Sequence, residues 1–162
     1  MLLSADFESF IDYFKEWAAN DPDVKFFLYG GVELGLDYAT GNENFEYPFA
    51  WLEQPEIQSE DNESGQLMEE YIFGVSVMTK ADMSDLEAQN QASIATIRIL
   101  YRLQKKLIAD NRKKGRKPSE IGLLECDVSK MRKTEVDRGW AGNHRGWRLE
   151  IVMKLNANTI LL

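Results

Sequence analysis

Along residues 71–79 the apolar Tyr71, Phe73, Val75 and Val77 alternate with Ile72, Gly74, Ser76 and Met78. That period of two, rich in β-branched and aromatic residues, predicts a strand. The pattern then resets. Lys80-Ala81-Asp82-Met83 reads as a turn, and Ser84-Asp85-Leu86-Glu87 sets Ser and Glu at capping-box spacing, where each satisfies the other's backbone N–H at a helix start. No Gly or Pro follows until Gly115, so a long helix is expected over 84–111. Ile94, Ile97, Leu100, Tyr101, Leu103, Leu107 and Ile108 form its expected apolar side. The polar turns after Leu86 are expected to project beyond the sheet. An earlier helix spans about 5–20, where Phe7, Phe10, Ile11, Phe14, Trp17 and Ala18 recur at helical spacing. Ser4 or Asp6 caps it, and Asp21-Pro22 stops it.

The stretches around these elements are less regular. Val24 to Tyr29 reads as a strand or extended arm broken by Gly30-Gly31, and 32–46 as a loop with at most short extended pieces. Residues 47–58 (YPFAWLEQPEIQ) read as a strand whose Pro48 and Pro55 confine its pairing to an edge or its middle. The acidic 59–66 is a natural hairpin tip, returning the chain antiparallel through 70–79. Residues 111–118 (NRKKGRKP) give the strongest linker signal, with cations where a helix C-terminus favours them. From 121 to 136 the chain alternates loosely, Leu124, Cys126 and Val128 against Glu125 and Asp127; 137–146 is turn-like. Trp147, Leu149, Ile151, Met153 and Leu155 then alternate with Arg148, Glu150 and Lys154, a half-buried strand. Residues 156–162 are a loose tail or an arm docking on a neighbour. This order predicts an α+β fold: a four-stranded, mainly antiparallel sheet with an N-terminal helix and a long central helix on one face. One domain is expected over 1–162, with long loops at about 30–46, 59–66, 111–119 and 137–146.

Composition narrows the chemistry. At 162 residues and 44% apolar content, the chain can bury a core without staples. A single cysteine, Cys126, leaves no intrachain disulfide or Cys-based zinc site, and His144 is the one histidine open to a triad or His-ligated metal. No stretch has membrane-span length and the start lacks a basic n-region, so a soluble protein made in the cytoplasm, with no membrane attachment, is expected. The net charge of −8 argues against a general nucleic-acid binder, which needs a positive surface. Charge is uneven: 53–70 is acidic and 102–117 basic. The asymmetry either steers one subunit face towards another or is a solvated surface.

Candidate chemistry is sparse. Residues 137–147 (DRGWAGNHRGW) gather Gly, Trp, Arg and His, residue types favoured at protein contacts; a hairpin loop with its Trp side chains on the sheet rim is the plainer account. The acidic pairs Glu69-Glu70 and Asp82/Asp85 lack the ligand spacing and Gly turn of a calcium loop, and Gly30-Gly31 opens no phosphate loop. The tract 112–117 either touches nucleic-acid backbone or is a solvated loop. No enzyme, cofactor or metal site is therefore expected, and a binding or assembly role remains by elimination.

With this order of elements the chain resembles the tail terminator (tail completion) proteins of long-tailed bacteriophages, the lambda-like minor tail protein group. The likeness runs through the opening helix 5–20, Phe26-Phe27 before a Gly-containing loop, and the Pro-led Tyr47-Pro48-Phe49-Ala50-Trp51-Leu52. It continues through the acidic tip, the strand Tyr71 to Thr79, Ser84-Asp85-Leu86-Glu87, the long helix and the finish Trp147-Arg148-Leu149-Glu150-Ile151-Val152. The helix 84–111 with its basic tail and the loop 30–46 are longer than the family pattern. The resemblance implies a non-enzymatic virion protein of the tail or neck, made in the host cytoplasm. Such proteins form a six-subunit ring that caps the tail tube, stops its growth and offers a surface to the head–tail connector protein, while DNA passes through the lumen without specific binding. Within that reading the expected contact residues are Glu60, Asp61 and Glu63 of the tip and Glu87 at the helix start. They continue with Arg112, Lys113, Lys114 and Arg116 of the basic tract, and Trp140, His144, Arg145 and Trp147. The competing reading is a small bacterial α+β adaptor or regulatory module that binds a protein through Trp140 to Trp147.

Overall fold

A computed structural model describes residues 5–31, 41, 45–61, 63, 65–112, 125–136 and 143–161. The chain is α+β, as its patterns predict. Helix α1 (Phe7–Asn20) starts where the Asp6 side chain accepts a hydrogen bond from the Ser9 N–H (3.1 Å), filling one of the donors a helix start leaves open. It buries Phe10, Tyr13, Phe14, Trp17 and Ala18, one stripe at 3–4 spacing. Strands β1 (Phe26–Tyr29), β2 (Phe49–Leu52), β3 (Glu56–Asp61) and β4 (Leu67–Lys80) follow, then helix α2 (Leu86–Arg112). The chain continues through β5 (Glu125–Cys126), a 3-10 turn (Val128–Lys130), β6 (Arg132–Glu135), β7 (His144–Asn156) and a short helix α3 (Asn158–Leu161).

The sheet has seven strands and is mixed, where four mainly antiparallel strands were expected. Its axis is the long antiparallel pair β4–β7, in register from Met68 opposite Asn156 to Lys80 opposite His144. On one side of β4 lie β2 and β3, and β1 adds to β2 in parallel; on the far side of β7 lie β5 and β6. Two departures from expectation, and the pairing of a strand already read from the sequence, account for the larger sheet. Residues 47–58 split into β2 and β3, because Glu53, Gln54 and Pro55 fall between two stretches that both pair with β4. Val24 to Tyr29 contributes a paired strand. Residues 121–136 include two short strands around a 3-10 turn, leaving Val128 exposed.

Both long helices cover one face of the sheet. Tyr71, Phe73, Val75 and Val77 of β4 and Leu149, Ile151, Met153 and Leu155 of β7 meet the α1 stripe and Ile99, Leu100, Leu103 and Leu107 of α2 in one core. Phe10 is its centre, with ring centroids 4.8 Å from Tyr71, 4.9 Å from Phe73 and 5.4 Å from Phe14. The buried stripe of α2 is Gln89, Ala92, Thr96, Ile99, Leu100, Leu103 and Leu107. Ile94 and Tyr101, assigned to that side from the sequence, are 42% and 52% exposed, because α2 carries a second apolar ridge on its solvent flank. The expected capping box is replaced as well. Asp82 accepts from both the N–H and the hydroxyl of Ser84, so Asp85 caps α2 instead by accepting from Ala88 (3.1 Å). In the first turns of α2 Leu86, Glu87, Asn90 and Gln91 are exposed, whereas Gln89 is buried and its amide donates to the Met83 carbonyl at 2.8 Å. The C-terminal segment docks on its own sheet, where Ala157 N–H reaches the Leu67 carbonyl and Leu67 N–H reaches Asn158 Oδ1.

Candidate functional site

Among the described residues the sheet's edge strands are β1 and β3 on the β4 side and β5 and β6 on the β7 side, and β3 and β6 differ in charge. Among the described residues β3 pairs with β4 alone and β6 with β7 alone, so each has one line of backbone donors and acceptors turned away from its own sheet. Strand β3 opens after Pro55, whose missing N–H suits an edge, and all six of its side chains are exposed. Its register places Glu56, Gln58 and Glu60 on the face away from the helices and Ile57, Ser59 and Asp61 on the helix side. Left-handed backbone at Glu63 (φ 59°) and Gly65 (φ 79°) turns the chain back into β4. Glu60 pairs with Lys154 of β7 and raises that lysine's pKa through its hydrogen bond. Residues 56–61 contain no cation.

The opposite rim carries both signs, with the cations Lys130, Arg132 and Lys133 clustered between Glu125 and Asp127 on one side and Glu135 on the other. Lys130 closes the 3-10 turn, Arg132 lies 3.3 Å from Glu150, and Lys133 bonds Gln104 of α2 with its ammonium 5.2 Å from the Tyr101 ring centroid. Burial lowers the Lys133 pKa. Residues 130–133 contain no acid. The exposed ridge of α2 adjoins this rim: Ser93 donates to Glu135 at the end of β6, and Ile94 follows it in the helix.

Between the rims, the face away from the helices carries charge laid across strands. Arg148 on β7 holds Glu53 with two bonds of 2.7 and 2.8 Å and also reaches Glu150 at 3.2 Å. The Glu53 hydrogen bond is the main cause of its raised pKa. Gly74 makes that bridge possible, since a Cβ there would stand 2.5 Å from Glu53 Oε1 and 2.6 Å from Arg148 Nε. At the other end of this face Phe49, Trp51, Met78 and Val136 form a second apolar cluster with Phe26, Leu28, Phe45 and Tyr47 packed on it. His144 belongs here. It is 4% exposed and its Nε2 sits 2.8 Å from the Tyr47 hydroxyl.

An open cleft of about 480 Å³ at the β5 end is lined by Glu70, Asn111, Glu125, Cys126, Asp127 and Lys154 among others. Burial pushes the Cys126 thiol up to about 12, with Asp127 adding to the shift, so the sulfur is held as an unreactive thiol at neutral pH. Among the described residues no group of three or more His, Cys, Asp or Glu is placed to hold a metal ion. None of the described helices is long and apolar enough to cross a membrane.

The residues singled out from the sequence fall into separate places. Glu60, Asp61 and Glu63 lie together at the acidic rim. Glu87 sits exposed in the first turn of α2, accepting from Gln91 at 2.7 Å. Arg145 pairs with Glu135 at 2.9 Å. Trp147 is half-buried against the core, its indole N–H donating to the Ser93 hydroxyl at 2.9 Å, and His144 is enclosed with the aromatics. Arg112 ends α2; its side chain, and Lys113, Lys114, Arg116 and Trp140, lie outside the described residues. Sequence reasoning passed over Lys130, Arg132 and Lys133, whose clustering is visible in the sequence but whose rim position depends on β6 pairing with β7. No protein-family model matches the chain, and no curated protein matches it in sequence.

Proposed function

We propose that this chain is a structural assembly protein of a long-tailed bacteriophage, a tail terminator whose copies form a six-subunit ring. In this reading the ring caps the tail tube, joins it to the head connector and passes DNA through its lumen. The observation that carries the reading is the pair of unlike edges on one subunit, β3 acidic with no cation and β6 opening on the cluster Lys130, Arg132 and Lys133, each with an unused backbone edge. A ring of identical copies needs two different patches that fit each other, closing by rotation, and a subunit with unlike rims supplies them. Support also comes from the helix-covered, mainly antiparallel sheet and the charged second face. The surplus of acid suits a lumen through which a polyanion slides, since fixed cations would bind its phosphates.

The adaptor alternative loses ground because Trp147, one of the two tryptophans of its binding loop, is half-buried and committed to Ser93. The ring reading is tested by polymerising tail tube protein in the presence of the full chain. Tubes that stop at a fixed length, with this protein at one end only, are the expected result. Growth and tube ends indifferent to the chain would remove the proposal.

A further inference from the structure

We infer that neighbouring copies join by sheet extension, the β3 rim of one subunit docking on the β6 rim of the next. This rests on the ring reading and names its contact. The strand directions permit it. β3 is antiparallel to β4, β4 to β7 and β7 to β6, so a neighbour whose strands keep the same sense sets its β6 antiparallel to β3. The neighbour is also slid along the strands, because β3 stands level with residues 152–156 of β7 and β6 with residues 147–150. One continuous sheet also keeps faces aligned. Arg132 shares its face with Glu150, and Glu56 and Glu60 share theirs with Ile72 and Glu70. All of these lie on the face away from the helices, so the arginine arrives beside carboxylates. On the helix side, Lys133 arrives beside Ile57, Ser59 and Asp61.

Apolar surface accompanies the charges. Ile57 is 41% exposed on β3, and Ile160 and Leu161 are exposed on α3, which is tied to the β3–β4 turn by Asn158 reaching the Gly65 carbonyl. The receiving rim offers Tyr101 and Ile94 of α2. Acidic side chains on an edge strand ordinarily guard against pairing with other sheets. That guard repels a second β3 and attracts β6, so it selects head-to-tail contact over a symmetric dimer.

Two double variants of the full chain test the contact: Glu56→Lys with Asp61→Lys, and Lys130→Glu with Arg132→Glu. None of these four side chains is in the core, and circular dichroism checks that each variant folds. Assembly is followed by light scattering, alone and with tail tubes. Each variant by itself should assemble at a concentration at least roughly tenfold higher than the natural chain, because like charges then face each other across the contact. An equimolar mixture of the two should recover assembly, since each supplies the rim that the other needs. Natural chain that assembles while the variants assemble equally well, or a mixture that recovers nothing, overturns the β3–β6 contact and leaves the ring reading standing. Natural chain that stays monomeric alone and with tubes overturns both.

Discussion

The two faces of the sheet are built on different principles, although β4 and β7 supply both. Towards the helices these strands present Tyr71, Phe73, Val75 and Val77 with Leu149, Ile151, Met153 and Leu155, all buried. Away from them the same strands present Gly74, Ser76, Arg148, Glu150 and Lys154 in a stretch ordered by charge geometry, while Met78 joins the second apolar cluster at the other end of that face. The helix face holds the fold, because apolar burial is the largest favourable term available. The charged stretch of the other face and the two rims add less to stability, and in the reading proposed above their charge placement decides which surface meets which.

Substitutions separate the two. Phe10→Ala, at the centre of the helix-side core, is expected to cost about 3–5 kcal/mol in chemical denaturation. Next come the two glycines of the central pair. A Cβ at Gly146 would stand 2.0 Å from the Val77 carbonyl oxygen, a backbone atom that cannot turn aside, so Gly146→Ala should fall at the upper end of about 1–3 kcal/mol. At Gly74 the obstacles are the ends of Glu53 and Arg148, so Gly74→Ala should cost about 0.5–1 kcal/mol, chiefly the loss of a part-exposed bridge. Both glycines lie on the face away from the helices, so equal losses at Gly74 and Gly146 would show that yielding side-chain ends and a fixed backbone atom cost the same.

A smaller, pH-dependent effect lies where α2 meets the end of α1. Arg102 grips the buried Asp21 with bonds of 2.7 and 2.8 Å. Burial works to raise the Asp21 pKa, but the Arg102 and backbone hydrogen bonds together hold it below its ordinary 3.8. A depressed carboxyl stabilises the fold above its ordinary value, and that contribution is lost as pH falls through the depressed one. Arg102→Ala should cost about 1–3 kcal/mol near neutrality. The gap from the natural chain should narrow below pH 3.8; a gap unchanged between pH 7 and pH 2 would show that this pair is not its source.

Much of the helix-side architecture is legible in the sequence, because it rests on periodicity. The Phe10-to-Ala18 stripe, the alternation in β4 and the alternation in β7 each place a face of the core directly. What escaped depends on partners that no local pattern names. Parallel pairing of β1 with β2 leaves no mark in FFLY, and Pro55 looks like a flaw within one strand until β4 is seen to be long enough to hold two. On α2 two apolar ridges compete, so spacing alone put Ile94 and Tyr101 on the wrong side. Asp82 drew Ser84 away from the helix start through a bond of 2.6 Å, a competition that the capping pattern does not encode. At the candidate site, the acids of β3 stood out as a run of charge. The rim cations and the bridge over Gly74 appear only once the strand order is known.

The central claim is that this subunit works by closing on copies of itself through unlike rims. Electron microscopy of the full chain, alone and on tail tubes, tests it most directly. The account predicts closed rings of one size with six-fold class averages, in solution or at tube ends. Single subunits in both settings, or two-fold dimers joined through matching surfaces, would contradict it.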